Sequence, residues 1–141
     1  MADFQNERSY EATPAQVYAC LRDPARLARW WGPEGFSNTF DVFEFVPGGR
    51  WSFTMHGPDG KDYPNTSVFR TIEPYTRVVI DHDCEPRFAL EIHLHPHGTG
   101  TRVAWLMDFQ NKTFAQSMKD FLQSANEQNL DRLAQELARQ S

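Results

Sequence analysis

Cysteine is nearly absent from this chain: Cys20 and Cys84 are the only two. The first twenty residues carry Asp3, Glu7, Arg8 and Glu11 and show no secretory segment. Reduced thiols are therefore expected, and the glycosylation-like sites at Asn65 and Asn111 are silent. No apolar run approaches the ~20 residues that span a bilayer, which points to a soluble, cytoplasmic protein. Excess basic charge is lacking too. Lys and Arg number 14 against 19 Asp and Glu, a formal charge of −5, and no run of one sign could track a phosphate backbone. Nucleic acid is thus not an expected partner. Nor is there a nucleophile elbow, a phosphate-binding glycine loop or a paired-cysteine site, so no cofactor is implied.

What the chain does have is clear punctuation. At 141 residues it fits one domain, 1–141, around one core. Three helix starts are marked by side-chain oxygens that accept from orphaned amides, with proline where no amide is needed. Thr13, Pro14 and Gln16 open the first. Asp23 and Pro24 open a second that ends at Trp31, with Gly32 as the stop and Pro33 forbidding continuation. Thr113 and Gln116 form a capping box for the third. Along it Phe114, Met118, Phe121, Leu122, Ala125, Leu130, Leu133, Ala134 and Leu137 make one apolar stripe to about Arg139. Between Ser37 and Phe109, short aromatic and β-branched runs alternate with turns such as PGG and GPDGKD. They predict strands at 37–46, 50–57, 67–73, 77–83, 87–95 and 101–109, after a first strand at 4–11. This is an α+β order in which a curved antiparallel sheet grips the long C-terminal helix. One helix does not cover so wide a sheet, and the two short helices with their terminal tryptophans are the available lid.

Four segments, ARWWGPEGF, FVPGGRWSFTMHGPDG, RVVIDH and GTRVAW, stand in that order ahead of the long helix. In this combination the chain resembles the bacterial relatives of the activator of the large heat-shock chaperone ATPase. That family sits within the START-like (SRPBCC) superfamily, which includes polyketide cyclases. The resemblance covers nearly the whole chain. It implies a helix-grip fold with an apolar cavity between sheet and helix, used for lipid-like or aromatic ligands in some members and for catalysis in a few. No catalytic motif of an enzyme subgroup carries over to this sequence.

Alternation assigns the cavity wall. Trp51, Phe53 and Met55 share a face opposite Arg50, Ser52, Thr54 and His56. Phe88, Leu90, Ile92 and Leu94 lie opposite Glu91, His93 and His95, and Val103, Trp105, Met107 and Phe109 form a third row. Facing Met118, Phe121, Leu122 and Ala125, these side chains either fill a core or line a cavity for a flat apolar molecule. Burial of such a ligand would supply roughly 25 cal/mol per Å². Trp30 and Trp31 cannot enter one core in the same way, since helix neighbours point ~100° apart. One should anchor the short helix, and the other should stand with Phe36 at the cavity mouth, its indole N–H wet.

The ionisable candidates are fewer. His82 falls on the face of Val78 and Ile80. It either projects into the cavity, where Asp81 or Glu91 could accompany it in general acid–base work, or is a satisfied or solvent-facing histidine. Arg70 turns inward if Val68 and Ile72 do, and would then need an anionic partner. His93, His95 and His97 are spaced for a metal, but they lie on the face opposite the apolar row and Pro96 ends the strand, so no metal is expected. The favoured reading is a carrier of a small apolar molecule. The alternatives are a cavity enzyme of cyclase or hydrolase type and an ATPase-stimulating chaperone module, with a chaperone or a second copy of the chain as partner.

Overall fold

The computed structural model describes residues 2–139. The elements run β1 (Phe4–Tyr10), α1 (Pro14–Arg22), α2 (Pro24–Trp30), β2 (Ser37–Phe43), β3 (Arg50–His56), β4 (Asp62–Glu73), β5 (Arg77–His82), β6 (Phe88–His97), β7 (Gly100–Phe109), α3 (Lys112–Ser117) and α4 (Lys119–Arg139). The strands form one antiparallel sheet in the order β1-β7-β6-β5-β4-β3-β2. β2 to β7 is therefore a meander, and β1 returns to pair with β7. The sheet curves around α4, which is the expected helix-grip arrangement.

Capping explains the helix starts. Thr13 Oγ1 accepts from Gln16 N at 3.2 Å while Gln16 Oε1 accepts from Thr13 N at 2.8 Å. Asp23 ends α1 and caps α2, accepting from Ala25 N at 3.0 Å. The third start differs from the Thr113 expectation. Asn111 is the cap, its Oδ1 accepting from Phe114 N at 2.9 Å, in keeping with the stronger capping tendency of asparagine. The expected single helix is also divided, with Met118 at φ −105° and ψ 13° between α3 and α4. No glycine or proline announces that break.

β6, expected to end at Pro96, runs through it to His97, and two other strand limits shift for local reasons. β2 stops at Phe43 rather than Val46 because the chain folds back at Glu44, whose N–H donates to Arg50 O at 2.9 Å. Gly49 permits this turn, since a Cβ there would lie 2.0 Å from Glu44 O. β4 starts at Asp62 rather than Ser67 and runs through Pro64. Residues 62–66 pair with β3 alone, because β5 joins only from Ser67 onward. That stretch is a local sheet edge, where the missing proline amide costs no ladder bond.

Trp30, Trp51, Trp105, Phe69, Leu27, Leu130 and Leu133 are fully buried at the centre of the core. The inner face of α4 is less apolar than expected: Asn126, Asn129 and Glu136 are buried beside Leu130 and Leu133, whereas Phe121 is 58% exposed. Glu136 accepts two hydrogen bonds from Arg29 of α2, at 3.0 and 2.7 Å, and has Arg26 and Arg139 each 3.5 Å away. These arginines, Arg29 first, hold its carboxyl below its ordinary pKa despite burial. Cys20 and Cys84 are not joined. Among the described residues no helix is long and apolar enough to cross a membrane.

Candidate ligand cavity

The inward rows of β3, β5, β6 and β7 face the first half of α4 across a cavity of about 630 Å³. Small-molecule sites span roughly 300–1,000 Å³. Trp31, Phe36, Trp51, Phe53, Met55, His82, Phe88, Leu90, Trp105, Met118, Phe121, Leu122 and Ala125 all line it. Of the residues expected there, Trp30 and Arg70 do not. Trp51 is the hub of the wall, stacked on Phe53 at 4.3 Å and on Phe69 at 5.6 Å between ring centres.

The adjacent tryptophans reach different destinations because α2 ends at Trp30, one residue short of expectation. Trp31 is already extended, with φ −71° and ψ 133°. Trp30 sits in the core, its Nε1 donating to Cys20 O at 3.0 Å. Trp31 faces the cavity, 5.0 Å from Trp51 and 5.6 Å from Trp105. Gly32 follows at φ +96°, where a Cβ would lie 2.7 Å from Met55 Cε.

Arg132 of α4 holds this turn in place. Its Nη1 donates to the carbonyl oxygens of Trp31, Gly32 and Pro33 at 3.1, 3.0 and 3.0 Å, and its Nη2 to those of Arg29 and Phe36 at 2.8 and 3.0 Å. A guanidinium has only donors to offer, and a turn crowded with carbonyls is its complement. Burial pushes the Arg132 pKa down, with Glu34 opposing. Asn129 completes the anchor, donating to Trp30 O at 2.8 Å and accepting from Gly32 N at 3.2 Å.

Polar groups gather where β4 meets β5, at Asn65, Ser67 and His82. His82 Nδ1 lies 2.7 Å from Pro86 O, and Nε2 lies 2.7 Å from Asn65 Oδ1 and 3.5 Å from Cys84 Sγ. The ring stacks on Phe88 at 4.4 Å. Burial pushes its pKa down, and the hydrogen bond to Pro86 opposes that. Each ring nitrogen faces an acceptor oxygen, and the neutral ring, with a single N–H, donates to only one of the two.

The acids expected beside His82 lie on the other side of the sheet. Asp81 binds Arg70, whose Nε is 2.9 Å from Oδ2, and Glu91 is 3.0 Å from His93 and 3.6 Å from Arg77. The general acid–base grouping is therefore not assembled. Arg70 is outside because it alternates with the inward Phe69, on the face of Val68, which pairs with the outward Asp81; the bulge between Phe69 and Thr71 acts on the residues that follow. Phe69 and Ile72 then pack on the core, and the simple alternation that paired Arg70 with Ile72 fails. His93 and His95 stack on the outer face at 5.9 Å. Among the described residues, no three His, Cys, Asp or Glu side chains converge on a metal position.

Asn65, Ser67, Asn126 and Asn129 also line the cavity and escape the sequence reading. A signal existed for the last two, which stand four residues before Leu130 and Leu133, in phase with the buried face. Asn65 and Ser67 alternate with the inward Phe69, but the bulge after Phe69 hides that parity in the sequence, and β4 starts earlier than its turn signals indicate.

A family profile described as Activator of Hsp90 ATPase homolog 1-like protein matches residues 11–138. The fold is similar to that of a protein from Arthrobacter aurescens, with a TM-score of 0.88 and 25% identity over 96% of this chain and 86% of that one. A protein from Nitrosomonas europaea gives 0.88 and 19%, covering 97% and 94%. One from Silicibacter pomeroyi, described as AHSA1, gives 0.78 and 20%, covering 98% and 99%. No curated protein shows a significant sequence match.

Proposed function

This chain belongs to the Activator of Hsp90 ATPase homolog 1-like family, and we propose that it binds one small, flat, apolar or aromatic molecule between its sheet and α4. The observation that carries this reading is the 630 Å³ cavity walled by Trp31, Trp51 and Trp105. Its lining carboxylates, Asp62 and Glu85, are exposed and already paired with His56 at 2.7 Å and Arg87 at 3.1 Å. A two-ring ligand burying about 250 Å² would gain roughly 6 kcal/mol before the cost of association, which favours micromolar or weaker affinity. Binding is favoured over hydrolysis or cyclisation because neither Asp81 nor Glu91 reaches His82. The cavity likewise favours a small molecule over the chaperone contact that the family name suggests.

Titration with a hydrophobic fluorophore and a panel of aromatic molecules tests this. One saturable site with altered tryptophan emission is expected, because three of the wall residues are indoles. An Ala125→Trp variant should fill the cavity and lose binding while still melting cooperatively. Emission and melting temperature unchanged across the whole panel would refute the reading.

A further inference from the structure

One group beside the cavity has no part in holding an apolar ligand: the thiol of Cys84, just beyond β5. Cys84 is partly exposed, and its Sγ lies 3.5 Å from His82 Nε2 and 3.8 Å from Thr66 O. Cys84 is not itself part of the cavity lining, but Asn65, His82, Glu85 and Pro86 around it are. We propose that Cys84 and His82 form a nucleophilic pair that captures an apolar α,β-unsaturated carbonyl compound entering the cavity. Delivery of the electrophile rests on the binding function proposed above; the thiol–imidazole contact does not.

The imidazole nitrogen is a far better proton acceptor than the Thr66 carbonyl, and the thiolate rather than the thiol is the nucleophile. Burial favours the neutral ring at rest, so His82 takes the proton as sulfur attacks. The charged ring is then provided for. Each of its two N–H groups has an oxygen at 2.7 Å, on Pro86 and on Asn65. The Asn65 oxygen is turned to the ring because its Nδ2 donates to Tyr63 O at 2.8 Å. These contacts are strongest when the ring is cationic, which is the condition for lowering a barrier rather than merely holding a side chain. Cys20 offers the contrast: it is fully buried, with an Arg26 N–H rather than a base 3.4 Å from its sulfur.

In the reaction the Cys84 sulfur bonds to the β-carbon and the carbon–carbon π bond breaks. Its electron pair moves to the carbonyl oxygen as an enolate. The proton held on His82 passes to the α-carbon. The net change is addition of S–H across the double bond, with no oxidant or other co-reactant.

The test uses benzylideneacetone as electrophile and its saturated analogue benzylacetone as competitor, read by intact mass and peptide mapping. A single adduct on Cys84 is expected, formed at least about tenfold faster than with glutathione at the same pH, slowed by saturating benzylacetone and absent in Cys84→Ser. His82→Gln should slow it about tenfold, within the lower range of general-base effects. Should that variant not fold, the comparison with glutathione and the competition decide. Wild-type reactivity no greater than that of glutathione, or an undiminished rate in folded His82→Gln, overturns the proposal. Benzylacetone binding is read separately by tryptophan emission. Binding with glutathione-like reactivity overturns the pair and leaves the cavity function standing, whereas fast reaction on Cys84 that benzylacetone neither slows nor binds against leaves the pair standing and overturns capture from the cavity together with the cavity function.

Discussion

Replacing Arg132 by methionine keeps most of the apolar stem and removes five hydrogen bonds to the turn that carries Trp31. A hydrogen bond to a charged group contributes about 1.5–3 kcal/mol, but five from one guanidinium do not add. Releasing the partly buried guanidinium to water in the unfolded chain opposes them, and the freed carbonyls regain some water. A net loss of about 3 kcal/mol is expected against a total of about 5–15, lowering the melting temperature by roughly 10 °C. Ligand affinity should fall as well, because a loosened Trp31 must be ordered again on binding at about 0.5–1.5 kcal/mol, up to roughly tenfold in Kd. Arg132→Lys should rescue little, since an ammonium cannot fork across the carbonyls of residues 29 to 36. Thermal unfolding by circular dichroism and ligand titration measure the two effects. If Arg132→Met unfolds within about 1 kcal/mol of wild type and binds as well, the clamp is not what positions the turn.

The tryptophan pair should separate by phenotype. Trp30→Ala, which empties the core and removes the indole hydrogen bond to the Cys20 carbonyl, should cost about 3–5 kcal/mol, whereas Trp31→Ala should reduce ligand affinity more than stability. Reversed effects in denaturant melts and titrations would contradict the assignment of anchor and wall. Acid should act through Glu136. Its carboxyl lies below its ordinary value of 4.5, so its contribution is fully present above that pH and is lost as pH falls through the folded value. Glu136→Gln should therefore be less stable near neutrality and show a shallower loss of stability below pH 4.5 than wild type; equal slopes in denaturant melts across that range would refute the role.

The architecture and most of the wall are legible in the residues taken alone. Caps and turns are written in a few adjacent residues, as Thr13 with Gln16 shows. Alternation on regular strands needs only local pleating, so Trp51, Phe53, Leu90 and Trp105 were placed correctly. Which tryptophan faces the cavity is a matter of long-range packing, because it hangs on where α2 stops and on an arginine a hundred residues away in α4. The bulge in β4 likewise decided that Ile72 parts from Arg70 and turns to the core, and β4 with the loop after β5 decided that His82 meets Asn65, Pro86 and Cys84 rather than an acid. A bulge shifts every later side chain on its strand, and contacts between distant segments leave no periodic mark in a single chain. These features became visible only once the sheet had closed around α4.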